Sequence, residues 1–317
     1  MEFWKYIETN LINGQRLILL IVVKSCGSSP GRKGFKMAVS SDRSIQGSIG
    51  GGVMEHKLVE DARKLLEINS SKTSLLKQDH QTKAGKEASG LLCSGNQTIA
   101  FFPLNKQHLP IVQDITVSIE QDEPGVFLIS NKQFRFNKGE ILSGEKQDQT
   151  QTIEDWNYTE QTGLPDRLFI FGAGHVGLAL SQIFRTLDFR ITIFDNREGL
   201  NTFEDNHFAN VKKIIDYKNI TQLIPEGENI YVVVMTFAHK NDEMIIHQLA
   251  AMKTKYLGMM GSTKKVKTIF DNLRKKGVSQ KLLDKIDAPI GLEIASETPA
   301  EIAVSIAAKI ISVKRNT

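Results

Sequence analysis

The chain reads as an α/β protein in two parts: a C-terminal Rossmann-type, doubly wound parallel sheet preceded by an α+β N-terminal domain. Three observations predict this. Gly172-Ala-Gly-His-Val-Gly177 directly follows the apolar run 168–171, which is the strand, glycine turn and helix order of a phosphate cradle. Apolar stretches at 168–171, 190–194, 211–215, 229–235 and 256–259 alternate with segments of helical period, as a parallel sheet with crossover helices requires. Between residues 137 and 166 the chain is polar and without sustained apolar period, so a linker is placed there, dividing residues 1–136 from a C-terminal domain at 167–317.

Within the second half, the glycines of the turn allow tight bending and close approach of backbone N–H groups to a phosphate, with Gly172, Gly174 and Gly177 in the required positions. The acid expected about 20 positions further on is Asp195, placed to accept hydrogen bonds from ribose hydroxyls. His175 begins the helix after the turn, where it either touches the ligand phosphate or caps the helix. Arg197 is placed to pair with a phosphate or a surface carboxylate, or to accommodate an additional ribose phosphate. The last helix, 299–313, has Thr298 as N-cap, Pro299 at its first position and Glu301 three past the cap, with Ala303, Ile306, Ala307 and Ile310 on one face.

The first half opens with the amphipathic set Phe3, Trp4, Ile7 and Leu11, then an apolar strand at 17–23. Strands at 35–39 and 44–48 flank the turn Asp42-Arg-Ser, and 53–68 has helical spacing. Ser48-Ile-Gly-Gly-Gly-Val-Met-Glu55 resembles a turn into a helix, and Gly50, Gly51 and Gly52 there suit backbone approach to a ligand or to another chain, or a purely structural loop. Upstream, Gly27-Ser-Ser-Pro-Gly-Arg32-Lys-Gly-Phe-Lys36 brings flexible backbone, hydroxyls and cations together, either to hold an anion or as a solvated loop.

Composition narrows the class. The chain has 317 residues, 40% of them hydrophobic, enough for two cores. Its formal charge of +4 comes from 40 basic and 36 acidic residues, too mild a balance for a nucleic-acid footprint. The apolar run 17–23 is too short to span a bilayer and Met1-Glu-Phe-Trp-Lys lacks a signal pattern, so a cytoplasmic protein is expected. Two cysteines, Cys26 and Cys93, fit that compartment. Between 253 and 287 the net formal charge is +7, a patch for an acidic partner or a solvated helix face.

These segments together resemble the XdhC/CoxI family, accessory factors of xanthine dehydrogenase and related molybdenum hydroxylases. The resemblance rests on Gly27-Ser-Ser-Pro, Gly34-Phe-Lys-Met, Gly47-Ser-Ile-Gly-Gly-Gly-Val-Met-Glu, Phe171-Gly-Ala-Gly-His-Val-Gly, Tyr256-Leu-Gly-Met-Met-Gly-Ser, Ala288-Pro-Ile-Gly-Leu-Glu-Ile and Thr298-Pro-Ala-Glu-Ile-Ala-Val-Ser-Ile. It implies a molybdenum-cofactor chaperone that protects the cofactor, assists its sulfuration and delivers it to an apo xanthine dehydrogenase-type hydroxylase, with a sulfur donor protein as a further partner. The cofactor is expected with or without an appended nucleotide. On this view Gly172, Gly174, His175, Gly177, Asp195 and Arg197 hold the phosphate or nucleotide portion, while Arg32, Lys36, Gly50, Gly51, Gly52, Glu55 and Ser262 complete the binding surface. Cys93 reads either as a molybdenum or sulfur contact or as a small buried side chain.

The chain departs from the family pattern in two places. Thr236-Phe237-Ala238-His239 has Phe237 where a histidine is expected, leaving His239 and Asp242 as candidate proton-transfer or ligand groups, and Cys93-Ser-Gly95 replaces Cys-Gly-Gly. A homodimer is expected. Two alternatives stay open: an NAD(P)-dependent oxidoreductase, supported by the fingerprint and Asp195, and a nucleotide-sensing interaction protein.

Overall fold

The computed structural model describes residues 2–79, 95–142 and 155–315. The chain divides into two compact units, Met1–Leu164 and Pro165–Thr317.

The first unit runs α1 (Glu2–Ile12), β1 (Leu17–Cys26), β2 (Lys36–Ser40), β3 (Ile45–Gly47), α2 (Gly52–Glu67), β4 (Ser74–Asp79), β5 (Asn96–Leu104), α3 (Leu109–Glu120), β6 (Gly125–Ser130), β7 (Phe134–Lys138) and β8 (Asn157–Thr162). Five strands form an antiparallel sheet in the order β3-β2-β1-β5-β4. Alternate residues of β1 serve opposite faces, which is why 17–23 reads as an unbroken apolar run. Ile18, Leu20 and Val22 pack with Met54, Leu58 and Ala62 of α2, while Leu17, Leu19, Ile21 and Val23 pack with Ile7 and Leu11 of α1 and Val112 and Ile115 of α3. The unit is α+β, as expected.

A smaller sheet, in the order β7-β6-β8, joins the second of these cores through Phe127, Ile129, Phe134, Trp156 and Tyr158. Its strand β8 lies in the stretch that composition assigned to a linker. Trp156 and Tyr158 are each 2% exposed and carry the burial, but they are too few among polar neighbours to give an apolar period. Residues 143–154 of that stretch lie outside the described residues.

The second unit runs β9 (Arg167–Phe171), α4 (His175–Thr186), β10 (Arg190–Asp195), α5 (Asn201–Glu204), β11 (Val211–Ile214), β12 (Gly227–Val234), α6 (His239–Leu249), β13 (Thr254–Met259), α7 (Thr263–Lys275), α8 (Gln280–Leu283) and α9 (Pro299–Arg315). The sheet is parallel throughout, in the order β11-β10-β9-β12-β13. Leu168 and Ile170 face α4 and α9, whereas Phe169 and Phe171 face α6 and α7, so the sheet is covered on both sides. Chain order reverses between β9 and β12. A crevice forms at the carboxyl ends of strands at such a switch point, and there doubly wound sheets bind ligands.

Beyond β13 the segment after α8 continues the sheet by backbone bonds. Met259 N–H donates to Asp287 O at 2.9 Å, and Ile290 N–H donates to Met259 O at 3.1 Å. The capping box of α9 is present: Glu301 accepts from Thr298 N at 2.9 Å, and Thr298 Oγ1 accepts from Glu301 N at 3.3 Å. Among the described residues no helix is long and apolar enough to cross a membrane.

Candidate functional site

The three glycines of the turn after β9 have different reasons to be there. At Gly172 (φ +118°) a Cβ would lie 2.3 Å from Met235 O, and at Gly177 it would lie 2.3 Å from Gly172 O, so both are required by packing of backbone on backbone. Gly174 differs. Its φ of −73° suits any residue, and a Cβ there would meet no atom within 4 Å. Folding places no demand for glycine at this position, whereas a ligand approaching the N–H groups of α4 does. Gly174 is the N-cap of α4, and no side chain makes a capping hydrogen bond there. His175 is exposed on the first turn of the helix.

Asp195 ends β10 as the sequence predicts, but its carboxylate is not open to a ribose. It is 1% exposed. Oδ1 accepts from Arg197 N at 3.1 Å and Arg197 Nε at 2.9 Å, and Oδ2 accepts from Arg197 Nη2 at 3.0 Å and Ala173 N at 2.8 Å. All four lone-pair directions are taken. Burial acts to raise its pKa, but the hydrogen bonds from Arg197 and Ala173 outweigh it and hold the carboxyl below its ordinary value. Asp195 therefore braces the glycine turn and clamps Arg197, a correction to its expected role on ribose hydroxyls.

The clamped Arg197 lies over the Phe237 ring, with its guanidinium carbon 5.2 Å from the centroid. Phe237 is 84% exposed. An exposed cation–π contact contributes about 0.5–1 kcal/mol, little against the apolar surface a phenyl ring leaves in water. Nearby, Tyr217 is buried, 2% exposed. Burial first, and then the nearby Asp195 carboxylate, push its pKa above the ordinary tyrosine range.

Asp242, 0% exposed, joins the loop after β12 to the start of α7. Oδ1 accepts from Thr236 N at 2.9 Å and Thr236 Oγ1 at 2.7 Å, and Oδ2 accepts from Lys265 Nζ at 2.5 Å. Lys265 donates to Met260 O as well, at 2.9 Å. The residue, a proton-transfer or ligand candidate by sequence, is a structural hub committed to these partners. His239, in contrast, is exposed and lines a cavity of about 360 Å³ with Ser262, Lys264, Lys265, Thr268 and Ile269. Ser262 is the N-cap of α7 and accepts from Lys265 N at 3.3 Å. The structure thus gathers His239, Ser262 and, through Lys265, Asp242 on one side of the sheet's carboxyl edge.

In the first unit the second glycine block also forms a helix start. Gly51 is the N-cap of α2 (φ +76°), and a Cβ there would meet nothing within 4 Å. Gly50 and Gly52 also have positive φ, 135° and 71°. Glu55 Oε2 accepts from Ser48 Oγ at 2.7 Å, Ile49 N at 2.9 Å and Gly51 N at 3.0 Å, so Glu55 holds the turn's shape instead of facing a ligand. Partial burial acts to raise its pKa, but these hydrogen bonds lower it further. The turn packs on the upstream loop: a Cβ at Gly31 would lie 2.2 Å from Ile49 O, and Gly31 N donates to the buried Gln97 Oε1 at 3.0 Å.

Arg32 is exposed, and Nη1 reaches Gly27 O at 3.4 Å. Lys36 is committed to Glu160 of β8 at 2.6 Å and to Gly34 O at 3.0 Å, so it is a link between the two sheets of the unit and not a free anion contact. Sequence alone hid this partner because it lies 124 residues away in a polar stretch. Cys26 is an exposed free thiol, and Cys93 lies outside the described residues. Among the described residues no cluster of three or more His, Cys, Asp or Glu is placed to hold a metal.

The chain is thus an α+β unit followed by a Rossmann-type unit, each with a glycine turn that opens a helix. Comparison with known proteins agrees with this. Residues 11–77 match the "XdhC and CoxI family" and residues 168–310 match the "XdhC Rossmann domain". The chain belongs to the XdhC/CoxI family.

It is 25% identical over 296 residues to the uncharacterized protein YqeB of Escherichia coli (strain K12), covering 93% of this chain. It is 27% identical over 154 residues to a probable xanthine dehydrogenase component of Bacillus subtilis (strain 168), covering 47% of this chain. The matched region covers 43% of the length of each of these two relatives. A crystal structure described as a xanthine dehydrogenase from Bacillus halodurans shares the fold, with a TM-score of 0.73 at 22% identity, covering 99% of this chain and 96% of that one.

Proposed function

We propose that this chain is a molybdenum-cofactor-binding accessory protein that acts in the cytoplasm, protects the cofactor, assists its sulfuration and delivers it to a xanthine dehydrogenase-type hydroxylase. The observation that carries the reading is Gly174, a glycine that packing does not require, at a helix start that no side chain caps. A phosphate tail fits that cradle, because the N–H groups of α4 and its dipole favour an anion. Family membership and the name of the Bacillus subtilis relative support the client class.

When bound, the cofactor supplies a pterin dithiolene with molybdenum chemistry and an anionic tail. The residues of this chain bind and orient it. The 172–177 turn holds the phosphate, Asp195 keeps the turn in shape through Ala173, and Cys93 serves as the candidate contact for molybdenum or sulfur. The filled coordination of Asp195 weighs against the NAD form of the oxidoreductase reading, since a carboxylate free to accept ribose hydroxyls is what that form requires.

The test is a transfer assay. Protein loaded anaerobically with molybdenum cofactor should activate an apo-hydroxylase of the xanthine dehydrogenase type, and Gly174→Val protein should not load. Normal loading of the Gly174→Val protein would count against the cradle, and failure of loaded wild-type protein to activate the hydroxylase would count against delivery. Size-exclusion chromatography with light scattering should give a homodimer.

A further inference from the structure

The loop after β12 places a large aromatic ring in solvent next to the phosphate cradle. Gly172 packs against the backbone of Met235 and Thr236, and Phe237 is the next residue, 84% exposed. Arg197 covers the ring from the other side of the crevice, 5.2 Å from its centroid. It is fixed there because Nε and Nη2 both donate to the buried Asp195, whose Oδ2 also accepts from Ala173 N inside the turn. One chain of contacts therefore links cradle, acid, arginine and aromatic ring. A rigid planar cation and an exposed phenyl ring at the rim of a phosphate site are the two side-chain types on which heteroaromatic rings stack. The buried Tyr217 lies near the same acid and arginine.

The group that usually reads the ribose is meanwhile consumed. Asp195 is 1% exposed, with four donors on its two oxygens, three of them from Arg197. A ribose diol would have to displace Arg197 to be bound there, which would dismantle the stacking pair.

The geometry points to a ligand recognised on the second unit by its planar heteroaromatic ring, stacked against Phe237 and Arg197, and not by ribose hydroxyls. This rests on the cradle reading above, and names what the cradle's occupant must carry beyond its phosphate. Base recognition of this kind tolerates either a nucleobase or a pterin, because each offers a flat π-face.

The test is calorimetric titration of the full-length protein with three probes: pyrophosphate, ADP and 2′-deoxy-ADP. Wild-type protein should bind ADP on the order of tenfold or more tightly than pyrophosphate, the scale of one base–aromatic stack. ADP and 2′-deoxy-ADP should agree within about twofold. Phe237→Ala should reduce ADP affinity to near that of pyrophosphate while leaving pyrophosphate binding unchanged, and Phe237→Trp should retain ADP affinity. Gly174→Val should abolish binding of all three. ADP binding unaffected by Phe237→Ala, or a preference of tenfold or more for ADP over its 2′-deoxy form, would overturn the platform while leaving the cradle intact. Absence of pyrophosphate and ADP binding in wild-type protein would overturn both.

Discussion

Gly172, Gly174 and Gly177 invite opposite predictions although they share one motif. Replacing Gly172 by Ala or Gly177 by Val drives a side chain into backbone oxygens 2.3 Å away and should cost about 2 kcal/mol or more by urea denaturation. Gly174→Val should cost about 1 kcal/mol or less, the scale of a poorer N-cap, because nothing lies within 4 Å of its Cβ and its backbone is ordinary. Arg197→Ala should destabilise more than Phe237→Ala. It strands a carboxylate that is 1% exposed, on a scale of about 3 kcal/mol, whereas Phe237 is 84% exposed and supports little of the core. The position of Asp195 was legible from its spacing after the fingerprint. Its role was not, because the arginine that fills it sits only two residues on, and sequence does not say whether such a neighbour turns inward.

Among elements, α6 is joined at two depths to α7 and to the residue that caps its end. The deep link is Asp242 to Lys265, with side chains 0% and 13% exposed, and the shallow one is Glu243 to Lys276, with side chains 16% and 53% exposed. Removing a partner of a buried pair leaves an uncompensated charge, so Asp242→Ala should cost about 3–5 kcal/mol. Lys276→Ala should cost about 1 kcal/mol or less, being largely in water. Thermal unfolding of the two variants checks the ranking. The central parallel strands β9, β10 and β12 were legible because they are largely buried and read as apolar runs flanked by helical spacing. Strand β8 was not, since its burial depends on Tyr158 with Trp156 just before it, and Glu160 gains meaning only from the distant Lys36. Asp242, a proton-transfer candidate by sequence, is instead the hub of this joint.

At the scale of the whole molecule, acid should act through both units. Asp195 and Glu243 in the second unit and Glu55 in the first all have folded pKa values below their ordinary values of 3.8 for Asp and 4.5 for Glu. A depressed carboxylate contributes stability that is fully present above its unfolded value and is lost as pH falls through the folded one. The denaturation midpoint should therefore change little from these groups between pH 7 and about 5, then fall below about pH 4. Asp195→Asn should flatten the acid limb of that profile. Basic residues of the 253–287 stretch are partly neutralised within their own unit, with Lys255, Lys265, Arg274 and Lys276 each facing a carboxylate. The uneven charge seen in the sequence is accordingly a weaker docking signal than its count suggests.

The measurement that tests the central claim most directly is the identity of the small molecules held by protein purified anaerobically from a molybdenum-replete host, read by mass spectrometry and oxidised-pterin fluorescence. Wild-type protein is predicted to yield a pterin at about one per chain, and Gly174→Val protein, equally folded, none. NAD or NADP as the sole extracted ligand, or equal pterin occupancy in both proteins, would contradict it.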